Sequence, residues 1–132
     1  MNKAYDAADL AGRILISAIF IVAGWGKIGG YAGTAAYMES QGVPGALLPL
    51  VIATELGGGL LVALGLWTRL SAFAVGGFSI VAGLLFHFKP DDQMQMMILM
   101  KDVAMGGGFF VIAAQGARAF SIDAWRARKS ST

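Results

Sequence analysis

The sequence contains no cysteine and few charged residues. The absence of cysteine from its 132 residues excludes disulfides, thiolate metal sites and a thiol relay within this chain. Charged residues make up only 14% of the chain, whereas a soluble domain has about 25%. Hydrophobic residues reach 57%, and a chain this short then has too few polar groups to cover its surface in water. We therefore predict that a lipid bilayer surrounds the protein.

The net charge is also small, +2 at pH 7, and the basic residues form no groove-like cluster, so nothing indicates nucleic-acid binding.

The first residues are not typical of a cleaved signal peptide. Acidic Asp6 and Asp9 accompany Lys3, and Arg13 interrupts the apolar run. We expect the first hydrophobic segment to stay in the mature protein.

Four apolar segments each have roughly the ~20 residues that a helix needs to cross a bilayer. They run over residues 10–28, 47–67, 70–88 and 94–115. Backbone groups find no water partner in lipid, so each segment is predicted to be a helix. The predicted fold class is an all-α membrane protein, an antiparallel up-down bundle of four transmembrane helices. A short interfacial helix is predicted over residues 34–41.

Both termini are predicted to be cytoplasmic. An even number of spans puts them on one side, and most basic residues that flank the spans lie on that side: Lys3, Arg69, Arg118, Arg126, Arg128 and Lys129. The opposite side has only Lys27 and Lys89. The predicted domains are a four-helix transmembrane domain over residues 1–118 and a basic cytoplasmic tail over residues 119–132.

Glycines cluster inside the predicted spans, at residues 57–59, 76–77 and 106–108. No strand precedes them and no Gly-Lys-Ser/Thr follows, which excludes a phosphate-binding loop. In membranes, small residues let helix backbones approach closely, so we interpret the glycines as packing surfaces. A cofactor lying flat against such a surface and a homodimer both stay open.

Ionisable residues inside the spans form the candidate site. A charge at the bilayer centre costs about 2.5–3.5 kcal/mol, so it usually faces the bundle interior and finds a partner there. The candidates are Arg13, Lys27, Glu55, His87, Lys101 and Asp102. Because adjacent helical residues point about 100° apart, Lys101 and Asp102 are expected to meet different helices. Lys101 would pair with Glu55 and Asp102 with Arg13 or Lys27, or the pairings would be exchanged.

The run "MQMMILM" supplies thioethers close to His87 in sequence. Soft ligands of this kind suit Cu(I). Methionine is also an adaptable packing residue, and no cysteine strengthens a copper site, so no metal site is predicted.

The order of four motifs along the spans is more specific than any one of them. An early Arg13 is followed by "GWGKI" at the end of the first span, "ATELGGGLLVALG" in the second, His87 ending the third, and "MKDVAMGGGFF" in the fourth. Over about residues 10–115 this resembles the DoxX family of small bacterial and archaeal membrane proteins. The resemblance implies a four-helix membrane bundle of the bacterial cytoplasmic (inner) membrane. Some relatives look like subunits of thiosulfate:quinone oxidoreductases or quinol oxidases, and others look like membrane partners in oxidative-stress complexes.

The leading hypothesis is a redox-associated subunit that binds a quinone or a similar lipophilic ligand at the buried charges. In it Glu55 and His87 are the catalytic residues, which handle protons. The ligand-binding residues are Lys27, Lys101, Arg13 and Asp102. No haem or flavin motif is visible, so any such centre would come from a partner redox protein, and without cysteine the chain alone has no group for covalent sulfur chemistry.

Two alternatives stay open. One is a non-enzymatic membrane scaffold that anchors a partner oxidoreductase, with purely structural ion pairs. The other, ranked lower, is a small proton or solute pathway, because neither inverted repeats nor broken helices are evident.

Overall fold

The computed structural model describes residues 2–130, and every regular element in that range is a helix. The elements are α1 (Lys3–Gly29), α2 (Tyr31–Ser40), α3 (Gly45–Leu64), α4 (Thr68–His87), α5 (Gln93–Gln115) and α6 (Ile122–Ser130). Four of them, α1, α3, α4 and α5, are long and apolar enough to cross a membrane, which confirms the four predicted spans. The short α2 occupies the place of the predicted interfacial helix.

Helix α1 begins seven residues earlier than the apolar segment predicted. Asn2 caps it, because its side-chain oxygen accepts hydrogen bonds from the backbone N–H groups of Ala4 at 2.9 Å and Tyr5 at 3.4 Å. The polar first turns are held in place as well, since Asp6 accepts from Arg118 at 2.9 Å. Hydrophobicity therefore located the span but not the start of the helix.

Helix α3 changes its winding along its length. A 3₁₀ turn, Gly45–Leu47, leads into an α-helical turn, Leu48–Ile52, and the chain then widens into a π-helix over Ala53–Gly58. Regular α-helix resumes over Gly59–Leu64 and ends at Gly65, whose φ of 72° suits glycine. Short π-helical segments often lie at functional positions, and this one carries Glu55.

Neighbouring spans run antiparallel, as their contacts show. Between α1 and α3, Lys27 meets Glu55 and Arg13 meets Val62. Between α4 and α5, the Ser79 hydroxyl donates to the backbone carbonyl of Asp102 at 2.8 Å. The two terminal segments lie at the same end of the bundle. The side of the membrane that this end faces stays a prediction.

The core lies where α1, α3, α4 and α5 meet. Its buried residues are Phe20, Val62, Ala72, Val75 and Phe109. The rings of Phe20 and Phe109 pack edge to face, with centroids 5.4 Å apart. Many large apolar side chains instead face outwards, such as Leu15 and Leu70, which are 74% and 73% exposed. An apolar exterior of this extent suits lipid rather than water.

The C-terminal helix α6 is attached to the turn between α3 and α4 through Asp123. Its carboxylate accepts hydrogen bonds from the Trp67 N–H at 2.8 Å, the Thr68 N–H at 2.9 Å and the Thr68 hydroxyl at 2.6 Å. Burial by itself would raise the pKa of Asp123, but these hydrogen bonds outweigh it and hold the pKa below its usual value. The basic tail is therefore tied to the bundle at its start.

Candidate functional site

A cavity of about 270 Å³ lies between α1, α2, α3, α4 and α5, at the end of the bundle away from the two terminal segments. Four ionisable residues line it, namely Lys27, Glu55, His87 and Asp102. They come from four different spans. The structure thus brings together four of the six residues that the sequence singled out.

The closest contact between charges in this cavity joins α1 to α3. Lys27 Nζ lies 2.7 Å from Glu55 Oε1, and only 8% of the Glu55 side chain is exposed. This is the distance of an ion pair. Lys27 is thus the residue that neutralises Glu55, as in the exchanged pairing, and the alternative that pairs Glu55 with Lys101 is wrong.

His87 ends α4, and its ring is held from the start of α5. The His87 Nδ1 lies 2.7 Å from the side-chain Oε1 of Gln95. The Gln95 N–H in turn donates to Asp92, whose side chain caps α5. Gln95 is not among the residues predicted from the sequence, because Gln93 and Gln95 look equivalent there. The tight turn over residues 88–92 brings Gln95, and not Gln93, to the His87 ring.

Asp102 reaches the cavity because α4 has no side chain at position 83. A Cβ built on Gly83 would lie 2.9 Å from the Asp102 Cβ and 3.1 Å from its Oδ2. The carboxylate of Asp102 lines the same cavity as His87. No ion pair links Asp102 to Arg13 or Lys27 in residues 2–130, so the predicted pairings of Asp102 are also wrong.

Aromatic and aliphatic side chains form the remaining walls. Tyr37 of α2 stacks on Phe86 of α4, with ring centroids 5.7 Å apart. Met38, also on α2, is 3% exposed and closes the cavity from the same side. Phe20 and Phe78 line it from the bundle core. An apolar wall with a few convergent polar groups is the usual composition of a small-molecule site.

Arg13 lies far from this cavity. It precedes Lys27 by fourteen residues on α1, which corresponds to about 21 Å along the helix. The side chain is fully buried and forms an ion pair with Asp9 at 2.9 Å. Its guanidinium also donates to three carbonyl oxygens, those of Val62 at 3.2 Å, Ala63 at 2.9 Å and Phe120 at 2.5 Å. Arg13 thus caps the end of α3 and anchors the tail, and it does not line the cavity.

Lys101 also lies outside the cavity. Its side chain is exposed on the outer face of α5, and it makes no ion pair with any residue that the structure describes. Asp102, one position later, faces inwards. The two adjacent charges therefore point in different directions, and only Asp102 faces the bundle interior.

Within residues 2–130, no group of three or more His, Asp or Glu side chains is placed to hold a metal ion.

Comparison with known proteins identifies the family. The DoxX family profile matches residues 8–88, more than half of the chain. The chain belongs to the DoxX family. No solved structure matches this DoxX protein.

Curated relatives match this DoxX protein over most of its length. Inner membrane protein YqjF of Escherichia coli (strain K12) is 46% identical over 123 residues, which cover 93% of this chain and 95% of YqjF. Inner membrane protein YphA of the same strain is 33% identical and covers 86% of both chains. A Bacillus subtilis (strain 168) protein named "Putative oxidoreductase CatD" is 30% identical, over 93% of this chain and 90% of CatD. With its four membrane-spanning helices, the protein is a multi-pass protein of the inner membrane.

Proposed function

We propose that this DoxX protein binds the head group of a quinone, or of a similar lipophilic redox ligand, and serves a partner oxidoreductase. One observation carries the proposal: Lys27, Glu55, His87 and Asp102 converge on one aromatic-lined cavity inside an apolar bundle. Buried ionisable groups in a membrane are expensive and usually mark a functional site. The name of the relative CatD, an oxidoreductase by that name, supports redox chemistry rather than structural charge pairing alone.

The size of the cavity suits a single ring. About 270 Å³ is slightly below the ~300–1,000 Å³ of pockets that enclose drug-sized ligands. A ring-sized head group fits within that volume, and a long apolar tail does not. We therefore place the tail of the ligand in the surrounding lipid, outside the cavity.

The polar groups of the cavity match the oxygen atoms of such a ring. The Lys27 ammonium is a donor and a positive charge for a carbonyl oxygen or an oxyanion, and Glu55 and Asp102 balance that charge. His87 and Glu55 are the groups that exchange protons with the ligand. Reduction of a quinone consumes electrons as well as protons, and the partner oxidoreductase supplies the electrons. The residues of this chain bind the ring, orient it and handle protons.

A proton or solute pathway through the bilayer receives less support. The buried ionisable residues gather in two groups, one around the cavity and one around Arg13 at the other end. Between them lie the buried rings of Phe20 and Phe109 and the side chain of Val62. An apolar layer of this kind favours a ligand site closed on one side over a continuous polar path.

We also propose that the end of the bundle that holds both terminal segments is cytoplasmic, as the distribution of basic residues predicts.

The test is a measurement of bound quinone. The full chain is purified from its native membrane in mild detergent, extracted, and assayed for quinone per chain. Near-stoichiometric quinone is expected, with loss in Lys27→Met and Glu55→Gln. Lys101→Met is the matched control, because it removes the same charge from an exposed position on α5, and it should keep its quinone.

A negative result is also informative. A wild-type protein that is well folded, carries no quinone and does not bind an added short-chain quinone would contradict the proposal. The scaffold interpretation would then stand, and the proteins that purify with the chain would be the next to identify. Equal loss in all three variants would mean that charge removal disturbs the fold rather than the site.

A further inference from the structure

The contact between His87 and Gln95 determines which ring nitrogen of the histidine is free. The His87 Nδ1 faces the Gln95 Oε1 at 2.7 Å. A carbonyl oxygen only accepts hydrogen bonds, so in the neutral imidazole Nδ1 must carry the hydrogen and Nε2 must keep its lone pair. We propose that Gln95 is a positioning residue: it holds His87 in the Nδ1–H tautomer and so makes Nε2 a proton acceptor for the cavity.

The contact is fixed by the local fold rather than by two free side chains. The turn between α4 and α5 is closed by backbone hydrogen bonds from Lys89 to His87 and from Asp92 to Lys89, each at 2.9 Å. Asp92 then caps α5 through the Gln95 N–H at 3.2 Å. Gln95 is partly buried, whereas Gln93, one residue after the cap, is exposed. The same turn therefore fixes both ends of the hydrogen bond.

The tautomer has a consequence for the redox state of the ligand, and this step rests on the proposed function. A nitrogen with a free lone pair complements a hydroxyl, which is the group that a quinol has and a quinone lacks. When the hydroxyl proton moves to Nε2, the electron pair of the O–H bond stays on the oxygen. The imidazolium that forms keeps its hydrogen bond to Gln95, and the carboxylates of Asp102 and Glu55, on the same cavity, stabilise its charge. The donor needed by the resulting oxyanion is Lys27.

The chain is well suited to a direct test, because it contains a single histidine. The full chain with ¹⁵N-labelled histidine gives one pair of ring nitrogens, and NMR at alkaline pH, without ligand, reports which one is protonated. We expect the Nδ1–H form in the wild type and in Gln95→Glu, because a carboxylate also only accepts. Gln95→Leu should show a mixture of tautomers. Gln93→Leu makes the same change on an exposed residue and should match the wild type.

Two results would overturn the inference. A wild-type spectrum dominated by the Nε2–H form would mean that the amide of Gln95 donates to Nδ1 instead, so that Nε2 is no acceptor. An unchanged tautomer in Gln95→Leu would mean that another group positions the ring. Both spectra are recorded without a quinone, so they are independent of the quinone measurement.

A binding measurement then connects the tautomer to the ligand. We expect Gln95→Leu to weaken the binding of a short-chain quinol several-fold while leaving the affinity for the oxidised quinone unchanged. Equal weakening of both forms would indicate a structural effect and would contradict a role specific to the hydroxyl. Recovery of quinol affinity in Gln95→Glu is the second expected result.

Discussion

Lys27 and Glu55 meet at 2.7 Å, about one turn from a close contact between the backbones of α1 and α3. Gly24, one turn before Lys27, lies against the backbone of Leu56, and a Cβ there would be 2.8 Å from the Leu56 nitrogen. Leu56 follows Glu55 within the π-helical segment of α3. The absence of a side chain at Gly24 therefore allows the helix contact that brings the two charges into one cavity.

Removal of Lys27 alone should destabilise the protein. In Lys27→Met, Glu55 stays buried without its partner, and breaking a buried pair costs up to about 3–5 kcal/mol. We expect the lower part of that range, because 28% of the Lys27 side chain is exposed. The double variant Lys27→Met with Glu55→Gln should recover most of the loss. Thermal unfolding in detergent measures both effects.

The control for this pair is Lys101→Met, which should leave the unfolding temperature unchanged, because Lys101 has no ion pair among the described residues. If Lys27→Met unfolds at the wild-type temperature, the ion pair does not stabilise the bundle.

Glycine substitutions should divide neighbouring positions into tolerant and intolerant ones. A Cβ on Gly76 would lie 3.0 Å from the Gly106 carbonyl oxygen, and one on Gly106 would lie 2.9 Å from the Gly76 carbonyl oxygen. These are backbone atoms, so Gly76→Ala and Gly106→Ala should each lower stability by about 1–3 kcal/mol. At Gly77 and Gly107 nothing lies within 4 Å of such a Cβ. Gly77→Ala and Gly107→Ala should therefore be neutral in thermal unfolding, and equal effects at all four positions would contradict this account.

The sequence was sufficient for the spans but not for their ends. Length and hydropathy located the four spans to within a few residues at most ends, because lipid leaves the helix as the only solution for such segments. The start of α1 and the helix α6 depend on contacts between distant residues. Asp6 contacts Arg118, and Asp123 contacts Thr68. No local pattern contains these contacts, so hydropathy could not predict them.

The site was predictable as a set of residue types and not as a geometry. The sequence marked six ionisable residues inside the spans as candidates, and four of them line one cavity. Which face of a helix each one occupies depends on helix rotation, and in α3 the π-helical segment adds a rotation that the sequence does not reveal. The pairing with Lys101 failed for this reason, whereas the pairing with Arg13 failed because Arg13 lies about 21 Å from Lys27 along α1.

Arg13 should be essential for the terminal end of the bundle and irrelevant to the ligand. Arg13→Met would remove the side-chain donor of the Ala63 and Phe120 carbonyl oxygens. It would also leave the Val62 carbonyl with only the Gly65 N–H, and the Asp9 carboxylate with only the Arg118 N–H. Each unsatisfied buried group costs about 1–3 kcal/mol, so a loss of several kcal/mol is expected in thermal unfolding. Any folded fraction should keep its quinone. Loss of quinone from well-folded Arg13→Met would mean that Arg13 does contribute to ligand binding.

The proposed orientation can be tested with single cysteines, because the chain has none of its own. Asp91→Cys lies in the turn between α4 and α5, and Ser130→Cys lies at the end of α6. In intact spheroplasts, a membrane-impermeant maleimide should label the first and not the second. Lysis should then expose the second as well. Labelling of Ser130→Cys before lysis, with protection of Asp91→Cys, would reverse the orientation.

Acid should release α6 through protonation of Asp123. The hydrogen bonds from Thr68 and Trp67 lower the pKa of Asp123, against the opposing effect of its burial. A lowered pKa in the folded state means that the carboxylate stabilises the docked helix fully above its unfolded pKa of about 3.9. That contribution is lost as the pH falls further, through the lowered pKa of the folded state. A spin label on Ser130→Cys should therefore become more mobile below about pH 4.

The comparison with Asp123→Asn isolates this residue. Asp6 and Asp9 also hold the terminal segment, through Arg118, so the wild type is compared with a variant that lacks only the Asp123 carboxylate. In Asp123→Asn the label should already be more mobile at neutral pH, because an amide oxygen is a weaker acceptor for three donors than a carboxylate. The acid transition of this variant should be smaller than that of the wild type. An acid transition of the same size in both proteins would mean that Asp123 does not hold the helix, and that Arg118 and Arg13 are sufficient to dock the tail.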